Sequence, residues 1–205
     1  MLNLRRIPKA KFGDYFILAA RLLIGWGFFS YGLSKLREGQ FGLDEAELMT
    51  PLSELSPFRI SWYLFDMQPF KAFIGVSQML CGALLIWNRT LLLGAFMFLP
   101  IVATILIIDL TFMPPPMATA FAWRLSWYIV LDLLILWHYR ERMLVIWKAV
   151  WDGVGTKFKH PVWVYLTLPV VAISLEVFSP RFFFYVLTRP RELFRSIAEL
   201  VGQFI

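Results

Sequence analysis

The chain has 205 residues and a formal net charge of +6; hydrophobic residues make up 59%, aromatics 18% and charged residues only 17%, and mean hydropathy is +0.65. Soluble domains hold about 25% charged residues, whereas here long apolar blocks alternate with short charged patches, so a soluble domain is excluded and a polytopic all-α membrane protein is indicated. The positive charge then belongs to basic loops on a cytoplasmic face rather than to nucleic-acid binding, and the single cysteine, Cys81, excludes an intramolecular disulfide or a dithiol redox centre.

The N-terminal stretch MLNLRRIPKAKFGDYFILAARLL begins like a signal peptide. Its apolar part is too long, however, and Arg21 interrupts the place where cleavage is expected, so the stretch reads as an uncleaved first span. Span one runs from about Asp14 to Lys35, about 32 Å at 1.5 Å per residue, enough to cross the hydrocarbon core. Span two covers about Phe70 to Trp87 and span three about Thr90 to Leu110; only Asn88 and Arg89 separate them, which predicts a tight antiparallel hairpin. TFMPPPM then forms a turn in which three prolines oppose helix continuation, and span four runs from about Phe121 to Tyr139.

Residues 1–139 therefore read as a four-helix transmembrane bundle. The stretch 140–160 alternates apolar and basic residues before a Gly-rich turn and reads as an interfacial amphipathic helix. Residues 161–205 hold a fifth hydrophobic segment, PVWVYLTLPVVAISLEVF (161–178), read as a fifth span although it contains Pro169 and Glu176. A tail follows with Leu193, Ile197, Leu200, Val201 and Phe204 on one helical face.

The distribution of Lys and Arg orients the first four spans. Arg5, Arg6, Lys9 and Lys11 precede span one, Arg89 marks the turn between spans two and three, and Arg140, Arg142, Lys148, Lys157 and Lys159 follow span four, so these ends and the N-terminus are expected in the cytoplasm. The 36–69 loop carries six acidic residues against Arg37 and Arg59, which suits the outer side. The expected location is a bacterial inner membrane. The fifth block breaks the pattern by carrying Arg181, Arg189, Arg191 and Arg195 outward: either the tail lies outside despite its charge or the block does not fully cross.

Span one contains RLLIGWGFFSYGLSK, in which Arg21, Gly25, Phe28, Gly32 and Lys35 share a stripe about 80° wide at 100° per residue. Such a stripe faces protein: its glycines, with Gly75 and Gly82 of span two, are the helix-packing candidates, and the arginine needs a partner. Arg21 lies seven residues in from Asp14 and Asp132 seven residues before Tyr139, so matched depth predicts a buried Arg21–Asp132 pair with Gln78 a little above it. At the other boundary Lys35, Asp109 and Arg124 are expected to meet, and two cations against one anion leave a net positive charge that attracts an anion. Each set has a plainer reading, a register pin between helices for the first and ordinary boundary charge for the second. His138 and His160 are poorly placed to hold a haem, Cys81 reads as a small packing residue, and no metal-ligand cluster, catalytic triad spacing or phosphate loop is present in the sequence.

The stretch RLLIGWGFFSYGLSKL, continued by FIGVSQMLCGALLIWNRTLLLGAFMFLPIVATILI (74–107), resembles the DoxX/DoxD-like integral membrane proteins over about residues 15–139. The resemblance implies a four-helix membrane bundle and an association with redox chemistry. Some DoxD-like members are subunits of a thiosulfate:quinone oxidoreductase, and some DoxX members are membrane partners of soluble redox enzymes. Related bundles carry catalytic cysteine pairs, which this sequence lacks. The expected role is an accessory or scaffold subunit of a larger membrane complex, with the lipid bilayer and other membrane or peripheral subunits as partners and no nucleic acid. The alternative is a thiosulfate:quinone oxidoreductase subunit. No intrinsic cofactor is expected; a quinone or a bound lipid is the candidate occupant. A transporter is a third reading, thinly based on one buried ion pair.

Overall fold

A computed structural model describes residues 9–37, 40–153, 155, 158–178 and 180–189; the side chains of Lys9, Ala10, Glu176, Val177, Arg181 and Tyr185 also lie outside the description. The basic cluster at Arg5 and Arg6, Lys157 and the amphipathic tail fall outside the described residues. Every regular element among the described residues is helical.

Helix α1 (Lys9–Leu36) is a 28-residue helix without proline. A short helix α2 (Glu45–Leu48) follows, started by a capping box in which Asp44 accepts from the Glu47 amide and Glu47 accepts from the Asp44 amide. Helix α3 (Pro57–Phe65) begins with the same logic, Ser56 at the N-cap and Pro57 in the first turn. The chain then bends by 82° into α4 (Phe70–Ile86). The elbow is pinned by Lys71, which is buried and pairs with Asp66 at 2.7 Å.

Helix α5 (Leu91–Phe112) and helix α6 (Pro115–His138) complete the main set. The proline run does not delay α6 to Phe121: Pro115 and Pro116 sit in its first turn, where a missing amide hydrogen costs no hydrogen bond. Among the described helices three are long and apolar enough to cross a membrane, Lys11–Leu36, Leu91–Phe112 and Pro115–His138. The α3–α4 pair passes the same test only when its two bent arms are taken together.

Four of these helices close a ring, α1 on α4, α4 on α5, α5 on α6 and α6 on α1, with α1 and α4 the most extensive pair. Inside lie Ile24, Phe28, Leu85, Phe98, Val102 and Ile135, with the Phe28 and Phe98 rings 4.5 Å apart. Outside, Leu22, Trp26, Phe73, Leu93, Ile107, Trp123 and Leu133 are exposed on the same long helices. Apolar patches on this scale are not tolerated in water, whereas lipid is their natural solvent. The ring has two ends. At the α3 end α1 and α5 finish and α4 and α6 begin; at the α7 end the reverse holds.

The chain divides into two compact units, 1–150 and 151–205. The junction falls inside the 140–160 segment rather than at its edges. Helix α7 (Arg140–Trp151) follows α6 with only Tyr139 between, and Tyr139 and Met143 pack against the core, so most of α7 belongs with the ring. Gly153 then takes φ +79, a left-handed conformation that ends the segment. The second unit contains α8 (Val162–Val177) and α9 (Pro180–Thr188). Helix α8 has 16 residues, about 24 Å at 1.5 Å each, and stops short of the hydrocarbon thickness of about 30 Å. The segment expected as a fifth span is a shorter apolar helix.

Candidate functional site

The glycine stripe sets the register of the bundle. A Cβ on Gly25 would meet the Gly82 carbonyl oxygen at 2.9 Å, and one on Gly32 would meet the Gly75 carbonyl oxygen at 2.5 Å. The α1 and α4 backbones therefore touch at two levels, seven residues apart on each helix. In this antiparallel register each step along α1 is a step back along α4. Arg21, four residues before Gly25, falls opposite Ile86, four residues after Gly82.

That register decides where the buried arginine goes, and it corrects the expected ion pair. Arg21 does not pair with Asp132. Its Nε donates to the Leu85 carbonyl at 3.2 Å, and its Nη2 donates to the Ile86 carbonyl at 3.0 Å and to Asn88 Oδ1 at 2.8 Å. The last carbonyls of a helix have no intrahelical donor, and the guanidinium of α1 supplies one for α4. Asp132 is fully buried, and neither of its carboxylate oxygens has a hydrogen-bond partner among the described residues. The height was nearly right: Arg124 donates to the Tyr31 hydroxyl, and Gly27 lies beside Tyr128, a register that sets Asp132 about two residues from the level of Arg21. The direction was not, because the Arg21 stripe faces α4 while Asp132 stands on α6.

Gln78 belongs to neither residue. It lies midway between Gly75 and Gly82, near the level of Phe28, and lines a cavity of about 70 Å³ at the α3 end. Lys35, Asp109 and Arg124 line the same cavity, so the structure brings these three together. Lys35 is buried, donates to Gln40 Oε1 at 3.0 Å and lies over the Phe41 ring at 5.4 Å. The Arg124 guanidinium stacks over Phe121 at 5.0 Å from its centroid. Asp109 is 4% exposed, and no ion pair joins it to either cation. Gln78 is 2% exposed, and its Oε1 lacks a donor among the described residues. The remaining walls are mainly apolar, with Phe28 and Ile105 from the ring and Phe65 and Trp62 from α3.

Sequence reasoning missed α3 and its contribution of Trp62 and Phe65, together with Gln40 and Tyr31. A signal was available: Ser56–Pro57 is a helix start, and the apolar residues that follow leave one amphipathic face. The loop carrying α3 is tied down by Arg59, which forks onto the Glu47 carboxylate and donates to the Gly42 carbonyl at 3.3 Å. This pair holds the Glu47 carboxyl below its usual value, chiefly through the Arg59 hydrogen bond. Away from the cavity, His138 lies 3.7 Å from Asp14 at the α7 end, and Cys81 is buried with its thiol directed at the Gly94 carbonyl at 3.5 Å. Among the described residues no group of three or more His, Cys, Asp or Glu side chains is placed to hold a metal ion.

The site is thus two cations and one carboxylate above an unpaired amide oxygen, in an apolar cleft. Such a set can bind and orient a small ligand. No protein-family model and no solved structure matches the chain. A Bacillus subtilis (strain 168) protein described as "Uncharacterized protein YwoB" is 31% identical over 129 residues, which cover 62% of this chain and 79% of that one. This chain belongs to the YwoB family. YwoB carries no ligand or reaction in its name.

Proposed function

We propose that this chain is an integral membrane accessory subunit: a four-helix transmembrane bundle that binds a small ligand at one end and works within a larger membrane complex. The observation that carries the reading is the cavity at the α3 end, where Lys35, Asp109, Arg124 and Gln78 converge in an apolar cleft. A few convergent polar groups in a mostly apolar concavity form the ordinary anatomy of a ligand site. The α3–α4 elbow serves as the fourth crossing, with α3 lying across the outer mouth. The basic residues at the α7 end, Lys11, Arg89, Arg140, Arg142 and Lys148, orient it toward the cytoplasm of a bacterial inner membrane, with the acidic 36–69 loop outside. Copurification in mild detergent from native membranes tests the reading. A stable larger assembly is expected, and a strictly solitary chain overturns the accessory role.

A second reading takes the DoxX/DoxD resemblance further and makes the chain a subunit of a thiosulfate:quinone oxidoreductase, with the sulfur anion at the outer cationic set and the quinone near the intramembrane polar set of Arg21, Asp132 and Gln78. The paired cations Lys35 and Arg124 favour it, since they suit a sulfur oxyanion. Reduction of quinone on addition of thiosulfate to the native assembly, lost in Arg124→Gln, would select this reading over the first.

A further inference from the structure

We infer that the cavity at the α3 end takes a small monoanion that also carries a hydroxyl donor, of the size and chemistry of a short-chain hydroxycarboxylate. The inference rests on the ligand-binding reading above and names the chemistry of its occupant. Charge comes first: Lys35 and Arg124 against Asp109 leave one positive charge facing the cavity, and a single negative charge balances it. Both cations have donors to spare. Lys35 has three N–H groups and Arg124 five, and the structure gives Lys35 one acceptor, Gln40 Oε1, and Arg124 one, the Tyr31 hydroxyl. A carboxylate seated between them would accept from both.

The donor requirement comes from Gln78. Its Oε1 is buried and without a donor, and a buried acceptor left unpaired is costly. Nothing on an all-acceptor anion satisfies it. An O–H on the ligand does. The body must be short and partly apolar, because Phe28, Ile105 and Phe65 form the walls. Size excludes more: a cavity of about 150 Å³ is what holds a benzene ring, and this one measures about 70 Å³. A two- or three-carbon acid fits that space; a lipid chain or a ring does not.

The test compares lactate with propionate, which has the same carbon count and charge but no hydroxyl. Binding to the full purified chain in mild detergent is followed by calorimetry. Lactate is expected to bind about tenfold more tightly, the usual cost of leaving one buried acceptor unpaired. Gln78→Met should abolish the discrimination while retaining propionate binding, and Lys35→Met or Arg124→Gln should weaken both acids at least tenfold. Equal affinity of the wild-type chain for the two acids, or no binding of either at millimolar concentration, overturns the inference without any variant having to fold. A chain that copurifies with partners yet ignores both acids refutes this inference alone; a solitary chain that discriminates them refutes only the accessory role.

Discussion

Gly82→Ala should loosen the bundle. The new Cβ would lie 2.4 Å from the Gly25 carbonyl oxygen, 2.7 Å from the Phe29 amide nitrogen and 3.1 Å from the Phe29 Cβ. Ordinary contact begins at 3.4 Å, so α1 and α4 must part by about 1 Å at a point where two of the three obstacles are backbone and cannot swing aside. Overpacking of this kind costs about 1–3 kcal/mol. A gap of about 1 Å also forfeits up to half of each dispersion contact along the seam, which places the cost near the upper end, about 2–3 kcal/mol. By the scaling for domains of this size, the melting temperature falls by about 5–10 °C. Thermal unfolding in mild detergent, followed by near-ultraviolet circular dichroism, reads the change. Gly27→Ala is the control, because its Cβ would meet the Tyr128 hydroxyl at an ordinary 3.7 Å. If the two variants melt together, the backbone contact between α1 and α4 does not hold the bundle and the register argued from it is wrong.

Arg21→Met should destabilise the same bundle by about 2–3 kcal/mol, since it leaves the Leu85 and Ile86 carbonyls and Asn88 without their donor; an unchanged melting curve would contradict the helix-capping role. Asp132→Leu should behave oppositely and leave stability unchanged or raise it by about 1 kcal/mol, because it removes a buried carboxylate whose oxygens have no partner. A clear loss of stability would reveal a partner for Asp132. Protection of the 43–56 loop should depend on pH. Because the folded Glu47 carboxyl is depressed by Arg59, its contribution is complete above the ordinary glutamate value and is lost as pH falls from about 4.5 through the lower folded value. Hydrogen exchange should therefore show this loop opening in acid, and Glu47→Gln should open it at neutral pH too; exchange that is flat with pH argues against the Glu47–Arg59 anchor.

Much of the architecture was legible in the chain. Long apolar runs announced α1, α4, α5 and α6, since a helix in lipid needs little beyond length and hydropathy, although α4 reaches the length of a span only together with α3. The stripe of Arg21, Gly25, Phe28, Gly32 and Lys35 marked a packed face, because helical periodicity is a local property. The long loop hid α3, whose amphipathic face is shorter than the signals that mark a span. At 161–178 apolar composition suggested a crossing, and α8 there is a shorter apolar helix of 16 residues. The meeting of Lys35, Asp109 and Arg124 was read from their shared position at helix ends, a question of height alone. The Arg21–Asp132 pair failed because height says nothing of direction around a helix axis.

The sequence by itself determined which residues lie at which depth and which face of the first helix is buried, because both follow from rise and rotation per residue. Only the tertiary structure decided which neighbour that face meets. Once glycines brought the α1 and α4 backbones into contact, Arg21 was carried to the end of α4, and its need for acceptors was met by carbonyls that every helix leaves open. The same contact set Gln78 beneath Lys35 and Arg124. Such a site exists only when four helices close in one register, which no single segment encodes.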